Sequence, residues 1–399
     1  MRISTQLLFQ QGLNGILDAQ ETLATTQRQL ATGQRVNQPS DDPIAAARIQ
    51  ELERAVARQD VFVNNIDRVR QRLNAEEDAL SSAGDVVRRV RELAVQAASD
   101  TLNQNDRQLI AVELRQRRDQ LVAVANTRDG DGEFIFAGGQ STTRPFVDTA
   151  GGVDYAGDGV QRELVIGPGT TIADGDTGDD VFMRVRDGNG TVRAAADPGN
   201  AGTGTVLVEP TVDESIYAGG SFTINFTAAD AWEVVDDGTP PAVIQTGTYT
   251  AGDTISFGGV GVRIEGAPAA GDAFTVEPAR NESIFATIDQ LAGALESDPT
   301  TPADRAVQRQ GIDDALAQLD NVENRLLEVR AGVGGRLNTI DDVQATREEL
   351  QLGLQELASD LRDVDYAEAI SLLQQELTAL QAAQQTFTRI QGNSLFRFL

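Results

Sequence analysis

Residues 319–364 read LDNVENRLLEVRAGVGGRLNTIDDVQATREELQLGLQELASDLRDV. Leu319, Leu326, Val333, Ile340, Leu354 and Leu361 lie in one seven-residue series, with Arg347 filling its gap. Val322, Val329, Val343, Leu350, Leu357 and Val364 form a companion series three residues on, with Arg336 filling its gap. Two interlocked series over six heptads define a coiled-coil seam. A polar seam residue can be a buried pair that fixes register. Arg336 and Arg347 are read instead as seam-edge residues whose guanidinium reaches water.

The same periodicity extends to both ends of the chain. A last helix is predicted through Ile370, Leu373, Leu377, Leu380, Phe387 and Ile390, before the apolar ending Leu395-Phe396-Arg397-Phe398-Leu399. At the other end Phe9, Ile16, Leu23 and Leu30 recur every seven residues on one helical stripe. Thr32-Gly33 breaks that helix, and Asn37-Gln38-Pro39-Ser40-Asp41-Asp42-Pro43 restarts the chain. Asp42 is a natural N-cap, and Pro43 fits the first helical position, where a missing N–H costs nothing. The helix that follows carries Ile49, Leu52, Val56, Val63, Ile66, Leu73 and Leu80, interrupted by Gln59, Arg70 and Glu77. A third stretch after Asn105-Asp106 carries Leu109, Val112, Leu121 and Val124.

Between these zones, from about Asp129 to Glu282, Gly, Asp and Thr dominate and alternation replaces helical spacing. Ser221-Phe222-Thr223-Ile224-Asn225-Phe226 and Val260-Gly261-Val262-Arg263-Ile264 read as short strands bounded by Gly-rich turns. Tyr249, Ile255-Ser256-Phe257 and Phe274-Thr275-Val276 add more, so a small antiparallel sandwich or barrel is expected. The fold class is therefore α+β: an elongated antiparallel helical coiled coil or bundle formed by both chain ends, with an inserted antiparallel β domain. Residues 1–42 with 362–399 form an expected terminal-helix domain, 43–145 with 283–361 a coiled-coil domain, and 146–282 the acidic β insert.

Composition removes most chemistry. The chain of 399 residues has no Cys, no His and no Lys. Thiolate nucleophiles, imidazole bases, thiolate or imidazole metal ligands and Schiff-base lysines are thereby excluded. No cofactor is expected and the chain is not read as an enzyme. A net charge of −28, about −16 of it between Phe146 and Glu282, disfavours nucleic acid as a partner. No apolar run approaches a membrane span, and the opening residues are too short an apolar stretch for a secretory signal. Asp176-Thr177-Gly178 matches the aspartic-protease triplet, but polar Ala173-Asp174-Gly175 precedes it, so a solvated turn is the expected structure. Asp129-Gly130-Asp131-Gly132-Glu133 and Asp174-Gly175-Asp176-Thr177-Gly178-Asp179 suggest calcium loops, yet Phe134 and Asp179 stand where the loop needs glycine. Both read as acidic turns.

Five blocks stand out together: Met1-Arg2-Ile3-Ser4-Thr5-Gln6, Leu30-Ala31-Thr32-Gly33-Gln34-Arg35-Val36-Asn37-Gln38-Pro39-Ser40-Asp41-Asp42-Pro43, Phe134-Ile135-Phe136-Ala137-Gly138-Gly139 with Pro145-Phe146, Arg330 to Asn338, and the ending from Leu377 to Phe396. On these residues the chain resembles the flagellin superfamily and, within it, the hook-associated protein 3 family of hook-filament junction proteins. The resemblance implies a structural adaptor joining the bacterial flagellar hook side to the flagellin filament. It also implies type III export without a cleaved signal, a location outside the cell in the flagellum, and self-association in a ring. Hook-associated protein 1 and flagellin are the implied neighbours, and a cytoplasmic export chaperone the implied earlier partner. Phe9, Ile16, Leu23, Leu30, Leu373, Leu377, Leu380, Phe387 and Ile390 are the expected subunit-interface residues. Phe387, Ile390, Leu395 and Phe396 are those expected to meet the chaperone. The alternatives are a flagellin-like filament subunit, or a surface-binding adhesin that uses the β insert. Terminal helices this poor in seam residues are marginal in water, so both ends are expected to order only against neighbours.

Overall fold

The computed structural model describes residues 5–210, 212–213 and 215–392. Helices α1 (Thr5–Thr32), α2 (Pro43–Ala97) and α3 (Gln104–Ala125) come first in the chain. Strands β1 (Phe146–Thr149), β2 (Gly152–Tyr155), β3 (Glu163–Gly167), β4 (Thr170–Ala173), β5 (Val185–Arg186), β6 (Val192–Ala196) and β7 (Thr205–Val208) follow. Then come β8 (Phe222–Ala228), β9 (Ala231–Asp236), β10 (Ala242–Thr248), β11 (Thr254–Phe257), β12 (Val260–Glu265), β13 (Ala273–Pro278) and β14 (Asn281–Glu282). Helices α4 (Ile284–Glu296), α5 (Pro302–Arg362) and α6 (Tyr366–Gly392) complete the chain. Two compact units result, Met1–Asn64 with Asp342–Leu399 and Asn65–Asp341.

In the larger unit the predicted seam is real. Ile66, Val69, Leu73, Leu80, Val87 and Val90 of α2 and Leu319, Val322, Leu326, Val333 and Ile340 of α5 are all buried. Two of the polar interruptions are cross-helix ion pairs, Arg70 with Asp341 at 2.8 Å and Glu77 with Arg330 at 2.5 Å, and Arg91 adds a third such pair with Asp320 at 2.8 Å. Rising numbers on α2 meet falling numbers on α5, so the two helices run antiparallel. On α3, Ile110, Leu114 and Leu121 are buried, and on α4 Ile284, Ile288, Leu291 and Leu295, where these two helices pack together. Their N-termini are capped by Asn103, whose Oδ1 accepts from Asp106 at 2.9 Å, and Ser283, whose Oγ accepts from Ala286 at 3.2 Å.

The β insert is a two-sheet sandwich. A five-stranded antiparallel sheet of order β10-β9-β8-β13-β6 faces a three-stranded one of order β11-β12-β7. Alternation along β8, β9 and β12 sends Phe222, Ile224, Phe226, Trp232, Val234, Val260, Val262 and Ile264 into one core. Phe274 and Val276 of β13 close it. Hairpin β1–β2, hairpin β3–β4 and the pair β5–β14 lie outside the sandwich. At the exit from the helices, Phe136, Phe146, Phe182 and Phe285 gather with ring centroids 5.1–6.1 Å apart. Gly138, at φ +67°, passes so close to the Asp158 carbonyl that a side chain there would collide with it.

The turn around Asp176 is not solvated, and here the structure corrects the sequence reading; in the Asp129–Glu133 turn Gly130, Asp131 and Gly132 are exposed while Asp129 and Glu133 are paired. Arg72, only 6% exposed, pairs with Asp129 at 2.7 Å and donates to the carbonyls of Phe134 and Ile135 at 2.9 and 3.0 Å. Arg162 joins Glu133 at 2.8 Å to buried Asp174 at 2.7 Å. Asp176 is held from two sides. Arg336 of α5 grips its carboxylate with both Nη atoms, and Glu76 of α2 accepts from its backbone N–H at 3.0 Å. Arg336 is therefore a paired, largely buried residue rather than a water-facing seam edge. The turn residues looked free in sequence because their arginine partners lie up to 160 positions away. Arg347, the other seam arginine, lays its guanidinium 5.6 Å from the ring centre of Phe62. Among the described residues no group of three or more Asp or Glu is arranged to hold a metal ion.

Burial sets the protonation of Glu76. Its side chain is fully buried, one carboxyl oxygen has no hydrogen-bond partner, and its pKa is pushed up first by desolvation and then by the Asp176 charge.

Candidate assembly interface

In the smaller unit the chain turns between α1 and α2 through the Pro-Ser-Asp-Asp-Pro block, and each acidic residue has a task. Asp41 accepts from the N–H groups of Asn37 and Gln38 at 3.0 and 2.9 Å. Asp42 caps α2 by accepting from Ala45 at 3.0 Å and pairs with Arg35 at 3.2 Å. The Ala45 N–H and then the Arg35 guanidinium hold the Asp42 carboxyl below its usual range. Gly33, at φ +74°, gives the tight exit from α1, and a side chain there would meet the Tyr366 hydroxyl.

The same corner ties the two ends of the chain together. Arg35 donates from its backbone to the Arg362 carbonyl at 2.7 Å and from Nη2 to the Leu361 carbonyl at 2.8 Å. Val364 donates to Gly33 at 3.0 Å, and Val36, Ala45 and Ile49 form a small core with Leu361. From here α1 and α6 run antiparallel to one another, and Phe9 meets Phe387 near the far end with ring centroids 5.0 Å apart. Both are helical within a single chain. Each covers one apolar stripe of the other.

Two helices cover only one stripe of each other. Ile16, Leu23, Leu30, Leu373, Leu380 and Phe387 are half-buried, whereas Phe9 and Leu377 stay 42% and 39% exposed. Nothing further is assigned to the Ile390 side chain, and Leu395 and Phe396 lie outside the described residues. The structure adds Leu13, Leu17 and Leu372, which the sequence pattern passed over, and leaves Ile370 open beside them. Leu13 and Leu17 continue from Phe9 at steps of four along α1, and Ile370 and Leu372 do the same work on α6; all are exposed by 41–52%. A search for i, i+4 neighbours beside the heptad stripe finds the α1 row. Gly12 also has a packing reason: a Cβ there would lie 3.0 Å from the Phe387 ring, whereas one on Gly15 meets nothing within 4 Å.

Charge singles out the same surface. The 55 residues of α1 and α6 carry only Asp18, Glu21, Arg28, Glu368, Glu376 and Arg389 as charged groups. In a chain of net charge −28, this is a face on which many copies can approach without strong repulsion. Further exposed apolar residues in this unit are Leu350, Leu352 and Leu357 of α5 and Val61 of α2. The companion heptad series is thus buried at Val322 and Val329 but open at Leu350 and Leu357.

Comparison with known proteins agrees with this arrangement. The family described as the bacterial flagellin N-terminal helical region matches residues 3–141. The flagellar hook-associated protein 3 of Escherichia coli strain K12 is 27% identical over 398 residues, covering all of this chain and 99% of that protein. A crystal structure of FlgL from Xanthomonas campestris superposes with a TM-score of 0.72 at 37% identity, over 77% of this chain and 99% of that one. The hook-associated protein 3 structure from Legionella pneumophila gives a TM-score of 0.71 at 28% identity, over 78% and 98%. The chain belongs to the hook-associated protein 3 family of flagellar hook-filament junction proteins, within the flagellin superfamily.

Proposed function

We infer that this chain is the structural subunit that joins the bacterial flagellar hook to the flagellin filament, with the hook and filament proteins as its neighbours. The observation that carries the reading is the sparsely charged, half-covered α1–α6 pair in a chain whose relatives match it end to end. A pair that buries one apolar stripe and leaves Leu13, Leu17, Ile370 and Leu372 open is complementary to further copies of itself. Adjacent subunits in a ring would place those residues, with Phe9, Ile16, Leu23, Leu30, Leu373, Leu377, Leu380, Phe387 and Ile390, in one inner helical layer. No catalytic step is needed: an adaptor supplies two dissimilar faces to partners of different mechanical behaviour.

The same reading extends to delivery. Export in an unfolded state through the type III apparatus would place the chain outside the cell. A cytoplasmic chaperone that covers Phe387, Ile390, Leu395 and Phe396 would keep the apolar end from associating early. Electron microscopy of cells lacking only this chain, with flagellin assayed in the medium, tests the function. Bare hooks and soluble flagellin are the expected outcome; filaments of normal number and length would overturn it.

A further inference from the structure

The order of the five-stranded sheet leaves β10 with a neighbour on one side only, β9. Of the sandwich's other edges, β6 lies beside β7, β7 is covered by a side chain of α5, and β11 is only four residues long with Ile255 and Phe257 buried. Exposed sheet edges are usually protected by charge, because an unpaired row of N–H and C=O groups invites another strand. β10 has no such protection. Its residues Ala242-Val243-Ile244-Gln245-Thr246-Gly247-Thr248 carry no charge, and all but Gly247 are exposed. A bulge between Val243 and Gln245 leaves two consecutive apolar side chains, Val243 and Ile244, 54% and 45% exposed.

The surroundings say what could cover it. Residues 194–262 contain nine acidic residues and not one basic residue. Four of them, Asp230, Glu233, Asp236 and Asp237, lie on β9 or at its ends, and Asp236 and Glu233 stand directly across from Ala242 and Thr246 of β10. A second copy would bring the same acidic strands opposite these, which like charges oppose. A strand with Lys or Arg at alternate positions satisfies both the backbone edge and the field around it. We propose that the β10 edge is a docking site for an extended, cationic polypeptide segment, which adds to the five-stranded sheet as a sixth strand.

The chain carries its own reporter. Its single tryptophan, Trp232, lies against Gly247, where a Cβ would come within 2.3 Å of the ring, and its Nε1 donates to the Thr248 carbonyl at 3.1 Å. The full-length chain is titrated with the octapeptide (Lys-Val)4, with (Glu-Val)4, and with a (Lys-Val)4 N-methylated at every residue, so that neither strand edge can donate. The first is expected to produce a saturable change in Trp232 emission, and Ile244→Lys to weaken it at least tenfold. The acidic peptide should give no change, and the N-methylated peptide should bind at least tenfold more weakly at equal charge. Equal binding of the N-methylated peptide means charge attraction without strand addition and overturns the proposal. So does an emission that (Lys-Val)4 leaves unchanged at millimolar concentration. Self-association of the chain alone, seen by sedimentation and removed by Ile244→Lys, assigns the edge to a second copy and also overturns it.

Discussion

The side-chain amide of Gln310 forms both hydrogen bonds of a missing strand with Val206, accepting its N–H at 2.7 Å and donating to its carbonyl at 2.8 Å. Val206 lies on β7, an edge of the three-stranded sheet, so one α5 residue finishes that edge. Further along α5, Asn321 donates to the carbonyls of Arg186 and Gly188 at 3.0 and 2.8 Å, and Arg325 donates to the Asp180 carbonyl at 3.1 Å. With Arg336 on Asp176, the four grips are spaced by 11, 4 and 11 residues. At 3.6 residues per turn that keeps them on one side of the helix. The insert is therefore fastened along α5 by directional polar bonds rather than tethered at its ends.

Replacing Gln310 by Leu leaves two buried backbone groups of Val206 unpaired. Each such group costs about 1–3 kcal/mol. The sandwich should lose roughly 2–6 kcal/mol of local stability, read as faster hydrogen exchange at Val206 and its β12 partner Ile264. Amides of α3 should be unaffected. Unchanged protection at Val206 would mean that water or a rearranged side chain replaces the amide.

Glu76 makes stability fall as pH rises. Its folded pKa is raised from 4.5 to about 8, so above 4.5 the unfolded chain loses a proton that the folded chain keeps. The folded state then binds more protons, and the slope of unfolding free energy with pH is negative across that window, at most about 1.4 kcal/mol per unit. Ionisation also sets a second carboxylate charge against Asp176, which the Arg336 guanidinium only partly offsets. Glu76→Gln keeps an oxygen for the Asp176 N–H and removes the titration. The variant should be the more stable protein at pH 8, with a flatter pH profile in denaturant titrations between pH 5 and 8. A wild-type profile that is flat over the same range would show that Glu76 is ionised when folded.

Much of this was legible in the residue pattern, and the limit has a physical origin. Heptads located α1, α2, α5 and α6 because a helix seam repeats locally, and Asp42-Pro43 marked the start of α2 because capping acts within three residues. Alternation found β8, β12 and β13 for the same reason. The Arg336–Asp176 and Arg72–Asp129 pairs were not legible, since an arginine in a helix does not announce which distant turn it will meet. The exposed row Leu13 and Leu17 was passed over because one seven-residue stripe already accounted for α1.

The two glycines of α1 should respond in opposite ways. A Cβ at position 15 meets open space, so Gly15→Ala should gain about 0.8–1 kcal/mol of helix propensity and raise helicity. Gly12→Val adds branched bulk where a first carbon already sits 3.0 Å from Phe387, and should part the Phe9–Phe387 contact. Circular dichroism melts of both variants, with hydrogen exchange along α1 and α6, give the comparison. Equal effects from the two substitutions would show that helix propensity, not the Phe387 contact, governs this pair.

Leu17 separates folding from assembly. It is 52% exposed on α1, so Leu17→Asp removes little buried surface and should change the stability of the isolated chain by less than about 0.5 kcal/mol. If copies pack through the uncovered face of the α1–α6 pair, the same carboxylate must be buried at every subunit contact, a cost that no partner charge on α1 offsets nearby. Cells carrying Leu17→Asp should then secrete the chain yet shed flagellin as monomer, while Leu109→Asp, at a residue 69% exposed on α3, keeps filaments. The two variants differ in place rather than in chemistry, so general loss of solubility or export would affect both. Filaments retained by Leu17→Asp would remove this face from the subunit contact. Assembly would then fall to the exposed leucines of α5, Leu350, Leu352 and Leu357, where the same aspartate scan would next apply.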